Sequence, residues 1–260
     1  MEDSFKFAKI SELCGGESAA VFGAGASGKA AKALLGKAGI KAVVYDKNGG
    51  ESCEKIFDEN SAKKHRLAVY SPVFRPDHEW VRLAEKAGAR AICEPDLSAL
   101  AWRGKIYTVT GTNGKTTLTS FLERALNTAG IKAISAGNIG KPLSAFCAEM
   151  DDTSTTAAVC ELSSFQTSRL EFLRPDALLW TNFAPDHLDW HTDMREYFSA
   201  KFNLVKNLKT KFLFAGSDVF EAAKEYGFKI PDFAKIPSQI DARECPKPFD
   251  TSVQSLNYSM

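Results

Sequence analysis

The sequence predicts an α/β protein of two successive domains on parallel sheets, the first Rossmann-like and the second of P-loop type. Three observations carry that expectation. Short apolar runs alternate with helix-length segments along most of the chain. Two glycine-rich turns, Gly23–Gly28 and Gly111–Gly114, each follow a strand-like run and open a helix-like one. The chain has 260 residues, 44% of them hydrophobic and 25% charged, enough for two ordinary globular domains at roughly 100–200 residues each.

The elements of the first domain follow in order. Ala19–Phe22 reads as a strand, and Ser27 as a cap for a helix that runs to about Ala38 and stops at Gly39. Lys41–Tyr45 is a second strand closing on Asp46, and Leu67–Tyr70 a third, followed by Ser71-Pro72. Pro76–Ala87 reads as a helix ended by Gly88, and Ala89–Cys93 as a fourth strand. A second series begins after Trp102-Arg103-Gly104. Lys105–Val109 is a strand, 110–117 a loop, and Leu118–Ala129 a helix stopped by Gly130. Ala157–Leu162, Ala177–Thr181 and Lys211–Ala215 are further strands, and Thr192–Leu208 a helix. The expected organisation is 1–103, 104–227 and a divergent tail, 228–260, where four of the ten prolines fall and the last ten residues are polar and aperiodic.

Composition excludes several classes. A formal net charge of +1 supplies no field for nucleic acid or an anionic membrane. The short run Lys63-Lys64-His65-Arg66 reads as a solvated loop or helix end. The six cysteines, at 14, 53, 93, 147, 160 and 245, form no CxxC pair, which argues against a zinc knuckle or redox pair. Several lie in apolar runs, as reduced core cysteines do, which suits a cytoplasmic location. The N-terminus Met1-Glu2-Asp3-Ser4 lacks an apolar signal core, and no uncharged apolar stretch approaches the ~18 residues a membrane span needs.

Four motifs carry chemistry. Gly111-Thr112-Asn113-Gly114-Lys115-Thr116-Thr117 joins a strand to a helix. Backbone N–H groups of such a loop face phosphate oxygens, the lysine reaches the β/γ-phosphates, and Thr116 can hold Mg²⁺. Full Walker spacing would require glycine where Val109 stands, so the loop is a shortened variant; a plain glycine turn is the structural alternative. Gly23-Ala24-Gly25-Ala26-Ser27-Gly28, with Asp46 after the next strand, looks like a dinucleotide fingerprint. It suits NAD, another nucleotide diphosphate, or only a tight turn. Glu161-Leu162-Ser163-Ser164-Phe165-Gln166 ends a strand in a carboxylate suited to the magnesium of a nucleotide, or in a helix cap at Ser163 or Ser164. Asn182-Phe183-Ala184-Pro185-Asp186-His187-Leu188-Asp189-Trp190-His191 suits a transition metal, a Mg²⁺–phosphate site using His187, or a structural cluster. Lys201, on the following helix, reads either as an exposed lysine or as a buried amine able to react with CO₂.

Taken together and in this order, GTNGKTT, Gly137-Asn138-Ile139-Gly140, ELSSFQ, the Asn182–His191 cluster and a lysine fourteen residues after His187 resemble the Mur ligases. The Ser163–Gln166 element is similar to that of the D-glutamate-adding subfamily. The resemblance spans roughly 18–215. It implies a UDP-binding first domain and an ATP-binding central domain. Ala26 and Ser27 would approach the diphosphate and Asp46 the uridine, with Ser71 in the same pocket. Gly111 to Thr117 would cradle ATP. Asn138 and Ser163 would position UDP-N-acetylmuramoyl-L-alanine. Thr116, Glu161, His187 and a carbamylated Lys201 would serve Mg²⁺, with Lys115, His187 and Lys201 catalytic. The implied reaction joins D-glutamate to the substrate's alanine carboxyl through an acyl phosphate, in peptidoglycan synthesis.

Departures from the family pattern are Val73 in place of glycine, no recognisable adenine-binding asparagine pair, and no third domain. The last suggests a truncated form that ligates poorly alone. A non-catalytic UDP-muramoyl or nucleotide-binding module is the first alternative, and a nicotinamide dehydrogenase the second.

Overall fold

Strands of a parallel sheet are covered on both faces, so they read as unbroken apolar runs rather than as alternating ones. Ser18–Phe22 (β1), Ala42–Tyr45 (β2), His65–Tyr70 (β4) and Arg90–Cys93 (β5) have this character, and Cys53–Glu54 (β3) adds a short edge. The computed structural model, which describes residues 7–50 and 52–237, pairs them all in parallel in the order β3-β2-β1-β4-β5. A second parallel sheet holds Ile106–Thr110 (β6), Ala133–Gly137 (β7), Ala157–Glu161 (β8), Ala177–Trp180 (β9) and Leu213–Ala215 (β10), ordered β10-β9-β6-β8-β7. The fold is therefore α/β with two doubly wound sheets. Crevices at the carboxyl ends of β1 and β4, and of β6, β8 and β9, are where such sheets bind ligands.

The chain divides into two compact units. One comprises Met1–Arg103, Lys141–Ser154 and Arg169–Leu173; the other comprises Gly104–Gly140, Thr155–Ser168 and Arg174–Met260. Two excursions from the later sequence thus belong to the first unit. Their anchors are two buried carboxylates in the first turn of the helix Glu94–Ala101. Glu94 accepts from the backbone N–H and hydroxyl of Ser144 and from Ser98 Oγ. Asp96 accepts from the N–H groups of Glu171, Phe172 and Leu173 at 2.8–2.9 Å. Burial pushes both carboxyls above their usual range, and these hydrogen bonds oppose the push.

Helix starts differ from the sequence expectation in instructive ways. The helix expected from Ser27 is Ala26–Lys37 with Gly25 as its N-cap, so Ser27 lies inside the first turn and does not cap it. A Cβ at Gly28 would collide with the carbonyl oxygen of Gly23, so the turn and helix approach as only glycine allows. The helix expected over Pro76–Ala87 is Glu79–Lys86, because His78 caps it by accepting from Trp80 N–H. The helix expected from Leu118 begins at Lys115 behind the left-handed Gly114, φ 79°. Asp193 caps Met194–Lys206, two residues inside the expected start.

The Lys63–Arg66 run also departs from its expectation. Lys63 is an exposed helix end, but His65 is buried as the first residue of β4. Its ring bonds Ser18 Oγ at 2.9 Å and Tyr45 OH at 2.8 Å, tying β1, β2 and β4 together. Among the described residues five cysteines are thiols outside any disulfide, four of them buried; Cys245 and residues 238–260 of the expected tail lie outside the described residues. Among the described residues no helix is long and apolar enough to cross a membrane.

Candidate functional site: a phosphate-binding loop at the carboxyl edge of the second sheet

β6, β8 and β9 are neighbours in the second sheet, so the polar segments that follow them converge at one edge. The loop after β6 is pinned before it reaches its helix. Asn182 Oδ1, from the segment after β9, accepts from Thr112 N–H at 3.2 Å and Asn113 N–H at 2.8 Å, and Asn182 Nδ2 donates to Asn113 O. Thr181 Oγ1 donates to the same carbonyl at 2.7 Å. A Cβ at Gly111, φ 143°, would strike Thr181 Oγ1, so this close approach requires glycine.

The sequence suggested that amides throughout 111–117 would face phosphate. The structure gives those of Thr112 and Asn113 to Asn182 and leaves the anion-facing task to the helix start. There Lys115, Thr116 and Thr117 form the first turn of the helix, at its positive dipole end. Asn182 is the organising residue that the sequence reading named in a motif but left without a role.

Lys115 Nζ lies 2.8 Å from Thr112 O, folded back over the loop. Burial pulls its pKa down, opposed by the charges of Glu161 and Asp186. Thr116 Oγ1 donates to Glu161 Oε2 at 2.7 Å, and Asn138 Nδ2 to Oε1 at 3.1 Å. Glu161 is 2% exposed. Asn138 is held beside it, since its N–H donates to Glu161 O at 2.8 Å. Ser163 is committed locally. It caps the short helix Ser164–Thr167 in a reciprocal box with Gln166, the cap reading that the sequence left open.

Lys201 is 1% exposed, and its Nζ donates to Gly111 O at 2.9 Å above the Tyr197 ring. Burial and the positive charge of Lys115 lower its pKa to about 7. The exposed-lysine reading therefore falls. A substantial neutral fraction at physiological pH makes this amine a nucleophile for CO₂. Tyr197 OH stands 3.2 Å from Thr112 Oγ1, and burial raises its pKa to about 12, so it stays protonated. His187 Nε2 is 3.4 Å from Asp186 Oδ2, on a left-handed backbone, φ 54°.

Among the described residues no three His, Cys, Asp or Glu side chains form a group that could hold a metal ion. Mg²⁺ takes one or two carboxylates, waters and substrate phosphates rather than an all-protein cage. Glu161 and Thr116 supply such hard oxygens, and Thr116 directly follows the lysine that would meet the same phosphates.

In the first unit, Ala26 is exposed and Ser27 half-buried at the helix start. Asp46 Oδ2 accepts from Ala24 N–H at 2.8 Å and Oδ1 from Asn48 N–H at 2.9 Å, so this carboxylate shapes the glycine turn. Ser71 and Phe74 close against Gly23, and Val73 is 75% exposed.

A Rossmann-like unit and a unit with a glycine-rich loop, a buried carboxylate and a buried lysine at one sheet edge define an α/β protein of two parallel sheets. Residues 109–234 match the Mur ligase middle domain, and the chain belongs to the Mur ligase family. It is 35% identical over 209 residues to the UDP-N-acetylmuramoylalanine--D-glutamate ligase of Leuconostoc mesenteroides, covering 72% of this chain and 44% of that one. It is 32% identical over 233 residues to the protein of the same name from Clostridium perfringens, covering 84% and 50%. The chain thus spans about half the length of these curated relatives. The fold is similar to that of the UDP-N-acetylmuramate:L-alanyl-gamma-D-glutamyl-meso-diaminopimelate ligase from Neisseria meningitides, at TM-score 0.57 and 16% identity over 85% of this chain and 77% of that one.

Proposed function

We propose that this chain carries the UDP-substrate and ATP-binding parts of an ATP-dependent ligase that adds D-glutamate to UDP-N-acetylmuramoyl-L-alanine. The reading rests on one observation above others: Lys115, the Thr116–Glu161 pair and the buried Lys201 stand together at the edge of the second sheet. The names of the relatives supply the substrate, and the Ser163–Gln166 element agrees with them.

In this reading ATP lies with its phosphates on the helix start at Lys115, and Lys115 neutralises charge as the γ-phosphoryl group moves. The alanine carboxylate displaces ADP to give an acyl phosphate. The amine of D-glutamate then displaces phosphate and loses a proton, leaving the amide. Positioning of this kind supplies about 7–11 kcal/mol of a barrier. Mg²⁺ would be held by Thr116, Glu161, His187 and a carbamate on Lys201, and would supply charge neutralisation at the phosphates. The carbamate forms when the neutral Lys201 amine attacks CO₂ and releases a proton. Ala26, Ser27, Asp46 and Ser71 hold the UDP end through the first unit, and Asn138 and Ser163 face the muramoyl end.

Hydroxylamine trapping tests the chemistry. The chain with ATP, Mg²⁺, UDP-N-acetylmuramoyl-L-alanine and hydroxylamine is expected to yield the substrate's hydroxamate, and Lys115→Ala to abolish it. Tight binding of both ligands without hydroxamate would favour the non-catalytic module instead. Binding of NADH with none of UDP-N-acetylmuramoyl-L-alanine would refute the assignment.

A further inference from the structure

We propose that Phe165, latched by a hydrogen bond between Ser164 and His191, is a positioning residue that sets His187 for the magnesium–nucleotide complex; this rests on the phosphate-transfer reading above. Two segments are involved, one leaving β8 and one leaving β9, and they meet through side chains. His191 is 2% exposed, and its Nε2 lies 2.9 Å from Oγ of Ser164, itself fully buried. The next residue, Phe165, inserts its ring into the turn 187–191. Its centroid is 4.7 Å from those of His187 and Trp190 and 5.9 Å from that of His191, and Trp190 packs on His191 at 4.5 Å.

The turn itself is unusual. His187 has φ 54°, a region that residues with a Cβ rarely adopt. Trp190 N–H and His191 N–H both donate to His187 O, at 3.1 and 2.9 Å, and close the turn around it. Such a conformation persists only where the surroundings over-determine it. Phe165 on one side and the Ser164–His191 latch beneath provide that determination. The neighbouring Asp186 acts electrostatically on both Lys115 and Lys201, which places the turn beside the phosphate loop. A ring wedged there fixes where His187 points, as supporting groups around metal ligands do.

The test compares ATP binding by calorimetry in Mg²⁺ and in EDTA, for the wild type and three variants. Phe165→Leu keeps apolar bulk and removes the ring; Phe165→Tyr keeps the ring; His191→Gln keeps a donor or acceptor near the position of Nε2. Phe165→Leu is expected to weaken binding in Mg²⁺ by about tenfold, the lower end for lost supporting groups, and to leave binding in EDTA unchanged. Phe165→Tyr and His191→Gln should keep most of the Mg²⁺-dependent gain. A purely structural role would lower both affinities together, and that result overturns the proposal. So does a Phe165→Leu protein with an intact Mg²⁺-dependent gain. If the wild type shows no such gain, the phosphate-transfer reading fails and the positioning role with it; if the wild type shows it, only the positioning role is at stake.

Discussion

Lys201 holds its amine inside the second unit, against Gly111 O, and among the described residues no carboxylate bonds it. The folded amine loses its proton near pH 7 and the unfolded one near 10.5. Between those values the unfolded chain binds more protons, so stability rises with pH across that window. Urea denaturation of the wild type from pH 7 to 10 should show this rise, and Lys201→Met should flatten it. An unchanged slope in the variant would mean that the amine is not depressed. The same neutral amine is the one that can take up CO₂. ¹³C NMR of protein equilibrated with labelled bicarbonate should show a carbamate signal that Lys201→Met lacks.

Single elements are held by buried polar side chains whose loss has a calculable direction. Asp96 satisfies three consecutive N–H groups of the 171–173 segment. Asp96→Ala leaves the buried N–H of Leu173 and the half-buried N–H groups of Glu171 and Phe172 without this acceptor, and at about 1–3 kcal/mol for a buried group the loss should be about 1–3 kcal/mol or more in urea melts. Proteolysis within that segment should accelerate as well. An effect below about 1 kcal/mol would show that the segment is held elsewhere, by pairs such as Arg90 with Glu171 and Arg169 with Glu85. His65 works the same way across β1, β2 and β4. Burial lowers its pKa below 6.5, so the stability it contributes is present above pH 6.5 and lost as pH falls toward the folded value. His65→Leu should cost about 1–3 kcal/mol at pH 7 through the two lost bonds to the Ser18 and Tyr45 hydroxyls, at about 0.5–1.5 kcal/mol each. It should also remove part of the acid sensitivity below pH 6.5, measured by thermal melts.

For the whole molecule, the two sheets imply two separable ligand specificities. Lys115→Ala should abolish ATP binding and leave binding of UDP-N-acetylmuramoyl-L-alanine within about twofold, because the units fold around different sheets. Asp46→Ala should weaken binding of UDP-N-acetylmuramoyl-L-alanine and leave ATP binding within about twofold, since the turn proposed to meet the diphosphate loses the acceptor for Ala24 N–H. One lost hydrogen bond to a charged group is about 1.5–3 kcal/mol, roughly tenfold or more in affinity. Calorimetry of both ligands on both variants checks this. Coupled loss in either variant would sink the separation of roles.

Much of the fold and part of the site were legible without coordinates. Apolar runs such as Ala19–Phe22 and Ala157–Leu162 declare buried parallel strands because both sheet faces must be covered. Glycines at 23, 28, 111 and 114 mark turns because the backbone there approaches too closely, or turns the wrong way, for a Cβ. Lysine followed by threonines after such a turn marks a candidate anion and metal site from covalent structure alone. Short amphipathic pieces such as Leu143–Glu149, and β7 with its mixed small residues, carried too weak a period to be read. What the linear order could not hold is which distant groups become neighbours. The capture of Thr112 and Asn113 amides by Asn182, the meeting of Asn138 with Glu161, and the placement of Lys141–Ser154 in the first unit all depend on packing. The character of Lys201 depends on it most. A lysine on a helix is a solvated cation until neighbours remove its water, and only the tertiary structure, by burying that amine beside Lys115, makes it a base near neutral pH.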